Sequence, residues 1–148
     1  MNLTRLKRHL RIAEGFRSRP YLDTVGVWTI GYGHALHGRM THEVEHMRWS
    51  RQTAERQLAV DLADAIHDAT TFPWFDALDE VRQRVIVELA FNLGRPRLLG
   101  FRRMLAAIAS QDWERAAAEL KDSRWYRQVG PTRGNRLIEM LRTGVDRD

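Results

Sequence analysis

The sequence has no cysteine, which excludes disulfides and thiolate metal sites and leaves only histidine, aspartate and glutamate as metal ligands. It has no long apolar run either. Arg, Asp or Glu interrupts every hydrophobic stretch within a few residues, far short of the roughly 20 that a membrane helix needs. The first residues, MNLTRLKRHLRIAEG, lack the apolar centre of a secretory signal, so the chain is expected to stay in a cytoplasm until something else releases it. Internal repeats and low-complexity tracts are missing as well. Acid is in deficit: 24 Lys and Arg against 19 Asp and Glu leave a net charge of +5. That balance favours nucleic acid, anionic lipid or an acidic wall polymer without choosing among them.

What is present is an ordinary globular composition, 43% hydrophobic and 29% charged. At 148 residues the chain suits one compact domain or two small lobes sharing a core. Leu3, Leu6, Leu10 and Ala13 share a helical face, and Gly15 suits the left-handed stop after Glu14. From Pro20 to Gly38, Thr, Val, Trp, Ile and Tyr interleave with glycines, which predicts a small antiparallel sheet turning at Asp23 to Gly26. Beyond Ser50 helix takes over. Ser50 can cap a long helix striped by Ala54, Leu58, Leu62, Ala65 and Ile66 and ending before Pro73. Further helices run from Asp79 to Gly94, from Phe101 to Ala109, from Asp112 to about Lys121, and through SRWYRQ and TRGNRLIEMLRTG. The expected class is α+β, mainly α, with a small antiparallel β-lobe joined to a larger helical lobe by a long helix.

The stretch EGFRSRPYLDTVGVWTIGYGH concentrates chemistry. Glu14 closes the first helix, at the end whose dipole disfavours a second negative charge, a place suited to a general acid. Asp23 lies at the tip of a turn, where water keeps a carboxylate ionised. Two carboxyls in unlike surroundings are the equipment of a glycosidase. Thr29 follows on the return strand, where a hydroxyl can help hold a water, and Gly31 and Gly33 leave room for a sugar chain to approach. Against this stands the plainer reading that Asp-x-x-Gly is a common turn and a helix-ending Glu is usually just solvated.

The same string resembles the active-site segment of the lysozymes of T-even bacteriophages and related endolysins. Their pattern is Glu, eight residues, Asp, five residues, Thr, then Ile-Gly-x-Gly-His, and Glu14, Asp23, Thr29 and Ile30 to His34 reproduce it. The resemblance continues through AERQLAVDLADA, LDEVRQRVIVELAFNLG, GFRRMLAAI, WERAAAEL, SRWYRQ and the terminal RTG. It implies a single lysozyme domain over 1–148, with a β-lobe at 15–50, a connecting helix at 51–70, and a helical lobe from 1–14 and 71–148. It further implies a muramidase that cleaves the β-1,4 bond between N-acetylmuramic acid and N-acetylglucosamine without a cofactor or metal. Glu14 would protonate the leaving oxygen, and Asp23 and Thr29 would activate water on the opposite face with inversion, the carboxylates roughly 6.5–9.5 Å apart. His34 would pair with Asp61, Arg133 falls where the family has an arginine beside the catalytic Glu, and Gly31, Phe91 and Asn92 fall at substrate-binding positions. Ala35, Met104 and Glu119 differ from the family at other contact positions and carry no expected role. The loop between His34 and Ser50 is much shorter than in the T-even relative. The implied partners are bacterial peptidoglycan and a membrane pore protein, a holin, with the chain itself a monomer that binds no nucleic acid. The implied setting is lysis of a bacterial host from its cytoplasm, with a tail-borne role as an alternative.

Two rivals come from other motifs. HEVEH, residues 42–46, matches the His-Glu-x-x-His pattern of zinc peptidases, with His42 and His46 as ligands and Glu43 as base, but its flanks are short and polar where that motif needs a core-anchored helix. Arg124, Arg127, Arg133, Arg136 and Arg142 could serve a basic nucleic-acid-binding module, although arginines on the outer face of amphipathic helices are more often solvated. A wall-binding or virion structural protein that had lost the chemistry is a third alternative; the presence of all three catalytic side chains argues against it.

Overall fold

A computed structural model of the chain describes residues 1–37 and 41–147; Gly38, at the end of the expected sheet region, and the rest of 38–40 in the short loop lie outside the described residues. The fold is mainly helical with one three-stranded antiparallel sheet, the α+β class read from the sequence. Two compact units divide the chain, Leu3–Asp64 and Met1–Asn2 with Ala65–Asp148.

In the first unit, helix α1 (Leu3–Glu14) buries Leu6, His9 and Leu10. Leu3, expected on the same face, is 44% exposed, because it opens the helix before the buried stripe begins. Gly15 stops α1 at φ +68°, and its N–H donates to the Arg11 carbonyl at 2.9 Å. The strands β1 (Arg17–Leu22), β2 (Trp28–Gly31) and β3 (His34–Ala35) follow in that spatial order. Tyr21 pairs with Thr29 and Leu22 with Trp28, while an irregularity between Arg17 and Tyr21 shifts the register. Ile30, Leu36 and Val44 form a small core cluster against Trp28, Met47 and Trp49. A short helix α2 (Thr41–Val44) precedes the long α3 (Arg51–Thr70). The Ser50 hydroxyl accepts from the Thr53 N–H at 3.1 Å, the cap the sequence called for. Ala54, Leu58 and Leu62 are buried along α3, as the stripe requires.

The second unit centres on α4 (Glu80–Leu93), buried without interruption from Arg84 to Ala90. Asp79 caps it by accepting from the Arg82 N–H at 2.9 Å. Around it come α5 (Arg95–Leu99), α6 (Arg102–Ala109), α7 (Trp113–Lys121), α8 (Arg124–Val129) and α9 (Pro131–Thr143), with α9 packed against α4, α7 and α8. Two ionic groups lie inside. Glu88, 1% exposed, accepts from Arg136 Nη2 at 2.7 and 2.9 Å, and Arg84 reaches Asp146 at 2.9 Å. Arg82 is a clamp: its guanidinium lies 3.9 Å from the centre of the Trp113 ring and donates to the carbonyls of Leu141 and Arg142 at the end of α9. Among the described residues no helix is long and apolar enough to cross a membrane.

Candidate active site

The local fold gives each acid of the opening motif a distinct setting. Glu14 is the last residue of α1, half-buried, and the turn from Gly31 to Gly33 comes back against its carboxyl. A Cβ on Gly33 would stand 2.6 Å from Glu14 Oε2, closer than real contacts allow, and Gly33 has φ +72°. Gly31 is in a similar position: at φ +68°, its absent side chain leaves the space taken by the Trp49 indole, 2.9 Å from where a Cβ would lie. The room read from the sequence as clearance for sugar is therefore filled at both glycines by the protein's own side chains. Gly33 makes way for the acid and Gly31 for a tryptophan.

Asp23 lies in the β1–β2 connection. Its Oδ1 accepts from the N–H groups of Val25 at 2.9 Å and Val27 at 2.8 Å, while its own N–H donates to the Val27 carbonyl at 3.0 Å. One carboxylate oxygen thus builds the loop, and Oδ2 makes no hydrogen bond among the described residues. Thr29, buried at 4% exposure on β2, donates its hydroxyl proton to the Val27 carbonyl at 2.9 Å. With its hydrogen spent, that oxygen is left to act as an acceptor.

Tyr21 connects these groups electrostatically. Burial first, and then the negative charges of Glu14 and Asp23, push its phenol above the usual tyrosine range, opposed by the Arg17 guanidinium 4.9 Å from the ring centre. Its hydroxyl therefore lies within reach of both carboxylates' fields. Nothing in the motif spacing singled out Tyr21; cross-strand pairing with Thr29 is the signal that places it on the same face.

The His34–Asp61 pairing implied by the resemblance is present, with Nδ1 and Oδ2 2.8 Å apart. Gln57, one helical turn before Asp61, donates to its other oxygen at 2.9 Å, and the Trp49 ring stacks on His34 at 5.4 Å. These contacts fasten β3 to α3. Trp49 and Gln57 are supports that sequence reasoning missed, since each acts on the His34–Asp61 pair, which joins residues 27 apart in the chain.

Glu14, Asp23, Thr29, Gly31, His34 and Asp61 all fall in the unit Leu3–Asp64. Phe91, Asn92 and Arg133 belong to the other unit. There Asn92 Oδ1 accepts from the Trp125 indole N–H at 2.9 Å, and Arg133 Nε is 3.5 Å from Glu88 Oε2. Phe91 is half-buried in α4. The zinc-peptidase motif does not form the helix it requires: α2 ends at Val44, His46 lies in the following turn, and His42, Glu43 and His46 are exposed. Among the described residues no group of three or more His, Asp or Glu could hold a metal ion.

Comparison with known proteins follows the same lines. Residues 11–141 match the phage lysozyme family. Probable T4-type lysozymes 1 and 2 of Dictyostelium discoideum are each 28% identical over 162 aligned residues, covering 95% of this chain and 95% of theirs. The pre-baseplate central spike protein Gp5 of Enterobacteria phage T4 is 30% identical over 159 residues, which is 91% of this chain and 27% of that one.

Proposed function

Because the chain belongs to the phage lysozyme family, we propose that it is a muramidase, a peptidoglycan hydrolase that cleaves the β-1,4 bond after N-acetylmuramic acid. The observation that carries this reading is the placing of Glu14, Asp23 and Thr29 in one compact unit, with Glu14 pressed against the Gly33 backbone and Asp23 Oδ2 left over from the loop's own hydrogen bonds.

The chemistry follows from those atoms. Glu14 hands its proton to the bridging oxygen as the glycosidic bond breaks, so the departing sugar leaves as an alcohol. A water gives one hydrogen bond to Asp23 Oδ2 and another to Thr29 Oγ1. Its oxygen attacks the anomeric carbon while its proton passes to the Asp23 carboxylate. Direct attack by water from the opposite face inverts the anomeric configuration. His34 and Asp61 hold the sheet in place, Phe91 and Asn92 are proposed glycan contacts along with the Gly31 backbone, whose side-chain space Trp49 fills, and Arg133 is a proposed supporting residue. Neither metal nor organic cofactor has a step to perform.

In biological terms the proposed role is lysis of a bacterial host at the end of infection, by a monomer made in the host cytoplasm that depends on a holin to reach the wall. The similarity to a baseplate spike protein favours a second setting for the same chemistry, carriage on the virion. Immunoblotting of purified particles separates the two.

Digestion of purified peptidoglycan followed by mass spectrometry tests the reaction. Hydrolysis yields reducing-end muramic acid, whereas lytic transglycosylation yields the anhydro form, lighter by one water. NMR of fresh products reads the anomer. A wild-type chain that releases no muropeptides, or whose activity is lost to EDTA and restored by zinc, overturns the muramidase reading.

A further inference from the structure

Glu14 is framed by two pieces of backbone, the last turn of α1 and the Gly31–Gly33 turn, and Glu55 on α3 touches both. Arg11 stands one turn before Glu14, and its Nε and Nη2 donate to Glu55 Oε1 and Oε2 at 2.6 and 2.8 Å. Tyr32, the middle residue of the Gly31–Gly33 turn, also hydrogen-bonds Glu55. The carbonyl of Arg11 accepts the Gly15 N–H that ends the helix, so the residue gripped by Glu55 is also the one that terminates α1. Phe16 continues the bracket, its ring 5.7 Å from that of Tyr32 and beneath the Arg51 guanidinium at 4.5 Å.

The Arg11 and Glu55 side chains are each 38% exposed, a setting in which an ion pair adds little to stability. Its geometry is another matter. The pair is two-pronged, which fixes orientation as well as distance. It also occupies the guanidinium, which would otherwise be free to swing toward Glu14, its neighbour three residues on along the same helix face.

We propose that Glu55 is a positioning residue for the proton-transfer step: by gripping Arg11 and Tyr32 together it locks the end of α1 against the glycine turn, and it keeps the Arg11 charge away from Glu14. This deepens the muramidase reading and rests on Glu14 being the acid. Displacement of a reacting group by about 1 Å can cost on the order of 100-fold in rate, so the effect belongs in kcat rather than in substrate affinity.

The test uses the full chain on purified peptidoglycan, with Glu55→Ala, Glu55→Gln, Glu55→Asp, Tyr32→Phe and the double variant Arg11→Ala/Glu55→Ala. Glu55→Ala should lower kcat at least about tenfold with KM within about twofold and a melting temperature within a few degrees of wild type. Glu55→Asp should recover part of the loss, and Tyr32→Phe, which keeps the ion pair, should lose less. The double variant should be no slower than Glu55→Ala, because the two residues act as one unit. Should Glu55→Ala fail to fold, the isosteric Glu55→Gln decides. A folded Glu55 variant with wild-type kcat, or one whose loss lies wholly in KM, overturns the proposal while Glu14→Gln remains inactive. An inactive wild type, or an active Glu14→Gln, instead overturns the muramidase reading beneath it.

Discussion

Gly33 and Glu14 compete for the same space, and that makes the glycine a sharper probe of the site than its lack of a side chain suggests. Gly33→Ala would push a methyl group to 2.6 Å from Glu14 Oε2 at a backbone angle of φ +72°. The carboxyl is the flexible party and would move. We expect a stability cost of about 1–2 kcal/mol from the left-handed backbone, together with a larger fall in turnover, read by parallel melting and lysis assays. Equal activity in the two proteins would mean that the acid does not work from this position. Glu14→Gln should leave the melting temperature nearly unchanged and lower turnover by about 10²–10⁴, because an amide has no proton to give. Asp23 offers a cleaner separation. Asn keeps an oxygen for the Val25 and Val27 N–H groups and so preserves the loop, whereas Ala leaves both donors without it. Asp23→Asn should therefore be folded and inactive, and Asp23→Ala inactive and about 1–3 kcal/mol less stable; full activity in Asp23→Asn would remove the carboxylate from the reaction. The spacing of Glu14, Asp23 and Thr29 was readable from the chain because all three lie within a single hairpin and its leading helix. Glu55 was not: its partner Arg11 is 44 residues away, and no local pattern announces a pairing over that distance.

At the scale of elements, side-chain caps mark where several of the readable helices begin, while α6 and α9 were legible without one. Asp79, Asp112 and Ser123 each accept from the N–H three residues on, and each stands before a helix with an apolar stripe. Asp79→Ala should cost about 1 kcal/mol through loss of the cap, visible as a shift of a few degrees in thermal unfolding. No shift would leave the other bond of Asp79, to Arg82 Nη1, without energetic weight too. α5 escaped notice because Gly94-Arg-Pro reads as a loop and five residues are too few to show a period. The irregular register between Arg17 and Tyr21 is likewise invisible in the alternation, since it comes from pairing rather than from composition. The α1–α3 link has a pH signature. Arg11 holds the Glu55 carboxyl below its ordinary range, chiefly by the hydrogen bond between them. Its contribution is thus fully present above the unfolded Glu pKa of about 4.3 and fades as pH falls through the lower folded value. Both partners are more than a third exposed, so the contribution is at most about 1 kcal/mol. The stability difference between wild type and Glu55→Gln should be measurable at pH 7 and vanish near pH 2; a difference that grows in acid would reverse the sign of this account.

For the whole molecule, the arginine-rich end of the sequence divides into two groups. Arg136 is turned inward to Glu88, with the Arg133 Nε 3.5 Å from the same carboxylate, and Arg142 bonds Glu139 and Glu114. Arg124 and Arg127 remain exposed. A run of basic residues that reads as one surface is therefore partly internal scaffolding, which the sequence could not reveal because Glu88 lies on a different helix. The net charge of +5 should still draw the chain to acidic wall material. Sedimentation with peptidoglycan should weaken as salt rises from roughly 50 mM to 500 mM, as the Debye length shrinks below about 10 Å; binding indifferent to salt would assign the attraction to the glycan contacts alone. The Arg82 clamp has a consequence of its own. A helix terminus normally frays, yet here a guanidinium from α4 holds the final carbonyls of α9 while lying across Trp113 of α7. Three helices distant in sequence are thereby riveted at one corner, so α9 should open only when α4 does. Amide hydrogens in the closing turn of α9 would then exchange with deuterium as slowly as those of the central helix, and Arg82→Lys would release that turn to exchange on its own.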